Sequence, residues 1–269
     1  MKALLPLVLG SLIFGGVARA AIINIDFNST GNNTQTGVAA APDSVGAGAI
    51  WNPLLNVTGT AQALDLQYSD GASSGVGFTL TGISGSIASA SGEQERNGSH
   101  LNLMRDYLRI DSGSSTAIAT ATGLFTGLTP GGSYQLYFYG QGENFGAGTI
   151  SGGTATQGQN SLFTVGLNSA QTGWDGTVGG DGLLVQGIEY VVLTGVANGS
   201  GELQFTWQNV VQGSGGNVLV DAAPSTATSG TQASRYGALN GIQLVAVPEP
   251  SAALLGALGL CGLFIRRRR

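Results

Sequence analysis

Cysteine and histidine are almost absent from this chain. Cys261, in an apolar run near the C-terminus, is the one cysteine, and His100 is the one histidine. No disulfide can form within a chain that has one cysteine. A zinc site needs three or four His, Cys or carboxylate ligands, and a Ser-His-Asp triad needs an oriented imidazole. The G-x-S-x-G elbow of many hydrolases is also missing. The sequence therefore predicts no catalytic residue, no metal ligand and no cofactor.

Basic residues are scarce in the body of the chain, which we define as Ala21 to Val247. Only four arginines stand there against fourteen carboxylates, a formal charge of −10. These arginines are Arg96, Arg105, Arg109 and Arg235. A body this acidic repels phosphate backbones, which argues against nucleic acid as a partner.

Charge of either sign is also rare, whereas glycine and apolar residues are abundant. Charged residues make up 9% of the chain, hydrophobic residues make up 42%, and 46 residues are glycine. Disordered chains combine low hydrophobicity with high charge, so the opposite balance here predicts a folded protein with many neutral turns.

Apolar and polar residues alternate with a period of two in two segments. In GELQFTW, Leu203, Phe205 and Trp207 share one face. In SYQLYFYG, one face carries Tyr134, Leu136 and Phe138, and the other carries Gln135, Tyr137 and Tyr139. This pattern is typical of half-buried strands. Further strands are expected at Ile22–Phe27, Val76–Leu80, Thr116–Thr122, Ser161–Val165, Tyr190–Thr194, Asn217–Val220 and Ile242–Val245, with a helical turn around Asn102–Tyr107.

About ten short strands with Gly-rich turns predict an all-β protein. We expect a single antiparallel β-sandwich, similar to a jelly roll, over residues 21–247. One helix is expected on either side of it, an N-terminal signal helix and a C-terminal hydrophobic helix.

The N-terminus has the features of a signal peptide. Lys2 supplies a positive charge, Ala3 to Val17 are apolar, and Ala18-Arg19-Ala20 forms an A-x-A cleavage site. We therefore expect the export machinery to remove residues 1–20, so that the mature chain begins at Ala21.

The C-terminal segment, residues 248–269, combines three features. Pro248-Glu249-Pro250 is followed by the uncharged run Ser251–Ile265, and then by Arg266, Arg267, Arg268 and Arg269. A fifteen-residue helix spans about 22 Å, less than the ~30 Å hydrocarbon core of a bilayer. The arginines favour a cytoplasmic end, so we expect a transient anchor in the inner membrane.

This order of Pro-Glu-Pro, apolar run and terminal arginines resembles the PEP-CTERM protein-sorting signal. The resemblance covers the last 22 residues or so. It implies a Gram-negative bacterium that makes extracellular polysaccharide, and an exosortase that acts near Pro248-Glu249-Pro250 and removes or replaces the tail. It also implies a final location at the cell surface or in the extracellular matrix, and Cys261 is then a small apolar filler.

Three segments of the body carry a second resemblance. LMRDYLRID, GLTPGGSYQLYFYG and LNGIQLV, in this order, are similar to the galactose-binding-like β-sandwiches that serve as accessory modules of carbohydrate-active and cell-surface proteins. The resemblance implies that a Pro-Gly turn leads into a central Tyr-containing strand, and that an Asn-Gly-containing strand closes the sheet. That fold hosts binding modules, structural modules and a few enzyme appendages.

Candidate glycan contacts come from tryptophan and arginine. Trp174 lies in the Gly-rich loop QTGWDGTVGGDG, where a sugar could stack on its ring, whereas Trp207 fits a core strand and Trp51 is expected to plug one end of the sandwich. Arg105 and Arg109 flank Asp106. We expect a partly buried salt bridge there, and a contact with an anionic sugar is the alternative, since the planar guanidinium suits carboxylates.

Carboxylates offer two further alternatives. Glu93 and Glu95, with His100 nearby, are the candidates for a hydrolase, but a solvated loop tip explains them better. Asp70, Asp111, Asp175 and Asp181 lie in Asp-Gly or similar turns that could supply a structural Ca²⁺, although such turns form readily without metal.

The sequence thus predicts an exported, non-enzymatic protein with a structural or adhesive role beside extracellular polysaccharide. A carbohydrate-binding module with a defined sugar site is the first alternative. A glycan-active hydrolase is the second.

Overall fold

The computed structural model describes residues 21–28, 34–43, 45–55, 58–87, 100–145, 157–173, 182–211, 215–219 and 235–248, without the side chains of 143–145 and 157–159. The expected signal peptide and residues 249–269 lie outside this part of the chain, so what was expected of them stays a prediction. No helix in the described part has the length and apolar character needed to cross a membrane.

Strands dominate the described residues. They are β1 Ile22–Asn28, β2 Asn52–Leu55, β3 Gly59–Ala63, β4 Gly77–Ile83, β5 Gly85–Ile87, β6 Tyr107–Asp111, β7 Thr120–Thr126, β8 Ser133–Tyr139, β9 Gln141–Phe145, β10 Gln157–Val165, β11 Asn168–Gln171, β12 Tyr190–Val196, β13 Leu203–Asn209, β14 Tyr236–Leu239 and β15 Gly241–Ala246. A 3₁₀ turn, Gly46–Gly48, and one short helix, α1 Leu101–Arg105, complete the elements.

The strands form three sheets. The five-stranded sheet has the order β12-β8-β15-β1-β2, and the seven-stranded sheet has the order β11-β10-β13-β7-β4-β3, with β9 paired to β10. The third sheet is β14-β6-β5. All described pairs are antiparallel except β1 with β2. The expected all-β sandwich is confirmed.

The main core lies between the two large sheets and is filled by the alternating residues that the sequence indicated. Leu136 and Phe138 of β8 are fully buried, and the ring of Phe138 stacks on Phe163 at 4.5 Å between centroids. Phe205 and Trp207 of β13 are also buried. Each such side chain contributes about 1.5–3 kcal/mol of hydrophobic free energy, so this layer dominates the stability of the fold.

A second apolar cluster covers the outer face of the five-stranded sheet. Tyr137 and Tyr139, on the polar face of the expected strand, pack there with Trp51, Leu103 and Met104. Trp51 therefore does not plug one end of the sandwich. It lies edge-on to Tyr139 at 6.3 Å and donates from its Nε1 to the Gly37 carbonyl at 2.9 Å.

Two of the expected elements differ in position. The strand expected at Thr116–Thr122 begins at Thr120, after a turn in which the Ala117 amide bonds the Ser114 carbonyl. Residues 217–219 of the expected strand Asn217–Val220 are not in a strand, because Asn217 braces the loop by bonding the main chain of Asn209 and Val211. The helical turn expected around Asn102–Tyr107 is confirmed as α1.

The Pro-Gly turn and the Asn-Gly pair occupy the junctions of the fold. The Gly132 amide bonds the Thr129 carbonyl at 2.9 Å, and Gly131 has a φ of +74°, so the turn delivers the chain into β8 between β12 and β15. Asn240 lies where the chain passes from β14 to β15. The side-chain Oδ1 of Asn240 accepts a hydrogen bond from Gln141 N, and its Nδ2 donates to the Met104 and Asp106 carbonyls. One side chain thereby joins three segments of the chain.

Candidate functional site

The three-stranded sheet packs one face on the main core, and its opposite face is buried at Tyr107 and Ala238 and only partly exposed at Arg109 and Asp111. Leu108 and Ile110 of β6 belong to the main core. Because side chains alternate along a strand, Arg109 and Asp111 lie on the opposite face. Strand β14 pairs antiparallel with β6 and places Tyr236 directly opposite Asp111.

Four side chains on this face form what we call the Arg–Tyr cluster: Arg109, Asp111, Arg235 and Tyr236. The guanidinium carbon of Arg109 lies 4.8 Å from the centroid of the Tyr236 ring, and that of Arg235 lies 5.1 Å from it. Both distances fall within the range of cation–π attraction. One tyrosine ring thereby holds two of the four arginines of the body.

Arg235 is also paired with Asp111. Its Nε donates to one carboxylate oxygen of Asp111, and its Nη2 donates to the other at 2.7 Å. This bidentate arrangement lowers the pKa of the Asp111 carboxyl below its ordinary value, chiefly through the hydrogen bond from Arg235. Asp111 is thus ionised at neutral pH, and its charge is matched by that of Arg235.

The pairing of Arg235 with Asp111 leaves the positive charge of Arg109 as the net charge of the cluster. Within the described residues, the Nε of Arg109 has no hydrogen-bond acceptor, and the side chain is half-buried. Gly85 of β5 lies directly opposite Arg109, and a Cβ built on Gly85 meets no described atom within 4 Å. The cluster therefore has a net charge of +1, beside a position that no described atom fills, in a body whose charge is −10.

The expected salt bridge between Asp106 and Arg109 is wrong. Asp106 is fully buried at the end of α1, where Asn240 donates to its carbonyl. Arg109 lies three residues further along an extended chain, so alternation places it on the other face, against Tyr236. Arg105, the second candidate glycan contact, is the half-buried last residue of α1.

Some candidate residues lie in the described part of the chain but apart from this cluster. The candidates outside the described residues are Trp174, Glu93, Glu95, Asp175 and Asp181.

His100 and Asp70 lie in the described part. His100 immediately precedes α1, and burial lowers the pKa of its imidazole, so it is neutral at neutral pH. Asp70 accepts from the Ala72 amide at 3.0 Å and closes its own turn, as Asp111 does with the Gly113 amide. In the described ranges, no group of three or more His, Cys, Asp or Glu residues could hold a metal ion.

A fully buried carboxyl lies elsewhere, on the outer face of the five-stranded sheet. Asp26 accepts from Gln35 N at 2.6 Å and from the Asn28 amide at 3.2 Å. Burial raises the pKa of Asp26 to about 8, the two hydrogen bonds lower it, and the charge of Asp106 raises it further. Since neither Asp26 nor Asp106 has any exposed surface, neither can reach a polymer outside.

Among the described residues, two small cavities lie against the inner strands β1, β8 and β15 of the five-stranded sheet. One, of about 180 Å³, is lined by Ile23, Tyr68 and Tyr134 among others, and one of about 220 Å³ is lined by Pro42, Gln135 and Tyr137 among others. Sites that enclose a drug-sized ligand measure roughly 300–1,000 Å³.

Sequence reasoning named Arg109 but missed Arg235 and Tyr236. The scarcity of arginine was the available signal, since each of the four arginines of the body stands out against fourteen carboxylates. Nothing in the local pattern joins Arg109 to Arg235, because only the pairing of β6 with β14 brings them together.

Comparison with known proteins gives a limited result. No family model matches the chain, and no curated protein matches it. Among the solved structures, a match is the structure of TmCBM61 in complex with β-1,4-galactotriose, at 11% identity and a TM-score of 0.27, over 63% of this chain and 88% of that one. Another is the enzymatically active domain of bacteriophage CBA120 tailspike protein 4, at 10% identity and a TM-score of 0.23, over 64% of this chain and 19% of that one. With TM-scores below 0.5, neither likeness carries an argument about function.

Proposed function

We propose that this is an exported, non-enzymatic protein of the cell surface or extracellular matrix, which contacts extracellular polysaccharide through the Arg–Tyr cluster. The single observation that carries the proposal is the contact of both Arg109 and Arg235 with the ring of Tyr236, on the face of the small sheet that is turned away from the main core. A long arginine side chain loses conformational freedom when it binds a ligand, and this loss weakens binding. Because the Tyr236 ring already holds the two arginines in place, less freedom is lost on binding.

A structural explanation of the cluster accounts for only part of it. Asp111 satisfies the charge of Arg235, and a salt bridge at such exposure, 37% for Arg235 and 21% for Asp111, adds little to stability. Arg109 has no such partner in the described residues at its Nε. A guanidinium that no described carboxylate pairs with one-to-one has donors left for an anionic ligand.

The positions of three described carboxyls support the non-enzymatic part of the proposal. Glycoside hydrolysis by two carboxyl groups requires both to flank the bond that is cleaved. Asp26 and Asp106 are close enough for the charge of one to affect the pKa of the other, yet both are fully buried. Asp111, on the outer face, is paired with Arg235.

The destination of the protein is part of the same proposal. The signal-like residues 1–20 direct export, and an exosortase-type enzyme processes the segment that begins with Pro248-Glu249-Pro250. The tail holds the protein in the inner membrane until that step, after which the sandwich is released or attached at the surface, next to the polysaccharide.

Affinity electrophoresis of the exported protein tests the binding function. Gels containing acidic or neutral polysaccharides are compared with gels that contain none, at about 150 mM salt so that long-range repulsion is screened beyond roughly 8 Å. We expect retardation by at least one polysaccharide. Unchanged mobility in every gel would exclude a polysaccharide-binding role. Release of reducing sugar in the same mixtures would contradict the non-enzymatic part.

A further inference from the structure

We infer that the polysaccharide is acidic, and that Arg109 binds the carboxylate of a uronic acid residue at the Arg–Tyr cluster. The inference rests on the proposed function and names the class of sugar that this site selects. It is carried by the guanidinium of the half-buried Arg109, which lies against the Tyr236 ring and has no acceptor for its Nε among the described residues, while Arg235 is already paired with Asp111.

The donor geometry suits a carboxylate. A guanidinium presents its N–H donors in a rigid plane that matches the two oxygens of a carboxylate, which an ammonium group does not. The guanidinium carbon of Arg109 lies over the face of the Tyr236 ring, 4.8 Å from its centroid. This cation–π contact positions the guanidinium and does not use any of its N–H donors in a hydrogen bond. Tyr236 itself is 8% exposed, which makes it a fixed support.

The local charge favours a singly charged group. Arg109, Arg235 and Asp111 sum to +1, which one carboxylate neutralises. A phosphate monoester is less well matched, because it is closer to a dianion at neutral pH and meets the same single net positive charge. The −10 charge of the body repels any polyanion over a long range, and salt at about 150 mM screens this repulsion, so that the local charge of +1 acts on the bound carboxylate.

Among the described residues, no side chain fills the position beside Arg109 on β5. Gly85 pairs with Arg109 across β5 and β6, and its missing side chain leaves space in which a Cβ meets no described atom. The site is a shallow face rather than an enclosed cavity, so a sugar within a long chain can reach it without a free chain end.

Isothermal titration of the exported protein with polygalacturonate provides the test, at about 150 mM salt and with chelator present to prevent cross-linking of the polymer by divalent cations. The matched ligand is the same polymer with its carboxylates methyl-esterified, and neutral galactan is the third. We expect polygalacturonate to bind and the esterified polymer to bind at least tenfold more weakly. Equal affinity for the two forms would overturn the inference.

Four variants locate the site. Arg109→Gln is expected to weaken polygalacturonate binding at least tenfold, and Arg109→Lys severalfold, because the charge is kept but the fork is lost. Arg105→Gln makes the same change of charge on α1 and is expected to bind as the parent protein does. Asp111→Asn raises the net charge of the cluster to +2 and is expected to bind severalfold more tightly.

The outcomes separate the inference from the function it rests on. A gain in Asp111→Asn cannot come from misfolding, so this variant remains informative even if Arg109→Gln unfolds. Unchanged binding in Arg109→Gln, equal losses in Arg105→Gln and Arg109→Gln, or no gain in Asp111→Asn would each overturn the site. Binding to galactan alone would leave the proposed function standing and remove the inference, whereas binding to none of the three would remove both.

Discussion

The hydroxyl of Ser161 lies 2.9 Å from the indole Nε1 of Trp207 and accepts its hydrogen bond. The same oxygen accepts from the Ala238 amide at 2.9 Å and donates to the Ala238 carbonyl at 2.6 Å. Ser161 is on β10, Trp207 on β13 and Ala238 on β14, so one buried hydroxyl joins the seven-stranded sheet to the small sheet that carries the Arg–Tyr cluster.

Replacing Ser161 with alanine should lower the free energy of unfolding by about 1–3 kcal/mol, because the indole N–H and the Ala238 amide lose their buried acceptor. Chemical unfolding followed by tryptophan fluorescence measures this. Ser169→Ala is the matched control, since the Ser169 side chain is exposed and its hydroxyl lies 2.7 Å from its partner in an exposed pair, the Thr164 hydroxyl. A loss as large in the control would contradict the role of the buried hydroxyl.

Gly123 and Phe205 are cross-strand partners, and the ring of Phe205 covers Gly123. A Cβ on Gly123 would lie 2.1 Å from the Phe205 Cζ, so Gly123→Ala should destabilise the protein by about 1–3 kcal/mol through overpacking. Thermal or chemical unfolding gives the value.

Two further variants show whether this steric explanation holds. Phe205→Leu removes the ring, so adding Gly123→Ala to Phe205→Leu should cost less than it does alone. Gly199→Ala, where a Cβ meets nothing within 4 Å, should change stability little. An equal cost of Gly123→Ala with and without the ring would show that the clash is not the cause.

Asp26 should make the protein less stable as the pH rises. Its pKa is about 8 in the folded state against an ordinary value of 3.8, so the folded protein holds this proton over a range in which the unfolded chain has lost it. The free energy of unfolding should fall between about pH 4 and pH 8, by at most ~1.4 kcal/mol per pH unit from this group.

Asp26→Asn removes this titration while keeping a similar shape. We expect the difference in unfolding free energy between Asp26→Asn and the parent protein to grow in favour of the variant from pH 5 to pH 8. Taking the difference cancels the opposite contribution of His100, whose lowered pKa favours the folded state as the pH rises towards 6.5. A difference that stays constant with pH would show that Asp26 does not hold its proton.

Processing at both ends predicts the mass of the protein recovered from the cell surface. We expect an N-terminus at Ala21 and the loss of the apolar run with Arg266 to Arg269, measured by intact-mass spectrometry in a host with an exosortase. Glu249→Ala in the sorting motif should retain the tail. A recovered protein that begins at Met1, or that keeps Arg269 in such a host, would contradict the proposed route.

The parts of the fold that were predictable have strong alternation. Phe205 and Trp207 of β13, or Leu136 and Phe138 of β8, mark their strands because burial on one face selects large apolar residues at every second position. Strands such as β3, GTAQA, and β11, NSAQ, have small or polar residues and give no such pattern. Their strand conformation follows from pairing with neighbours, which a local pattern does not contain.

Half of the candidate site was predictable. Arg109 stands out as a rare cation, but the sequence places it beside Asp106, and the structure places it beside Tyr236, 127 residues away. The contact depends on the register of β14 against β6, in which Asp111 faces Tyr236. Shifting that register by one residue would turn Tyr236 to the other face, and no motif near Arg109 encodes it.

The C-terminal strand has a mechanical consequence. Strand β15 lies between β8 and β1, the Ala246 amide bonds the Ala21 carbonyl, and the Val247 amide bonds the Ser133 carbonyl at 2.9 Å. If the segment after Pro248 attaches the protein to a surface, tension from a bound polymer enters along the axis of β15. Such a pull shears two hydrogen-bond ladders at once instead of peeling one bond after another, so the sandwich would resist being drawn out when the surrounding polymer is dragged by flow.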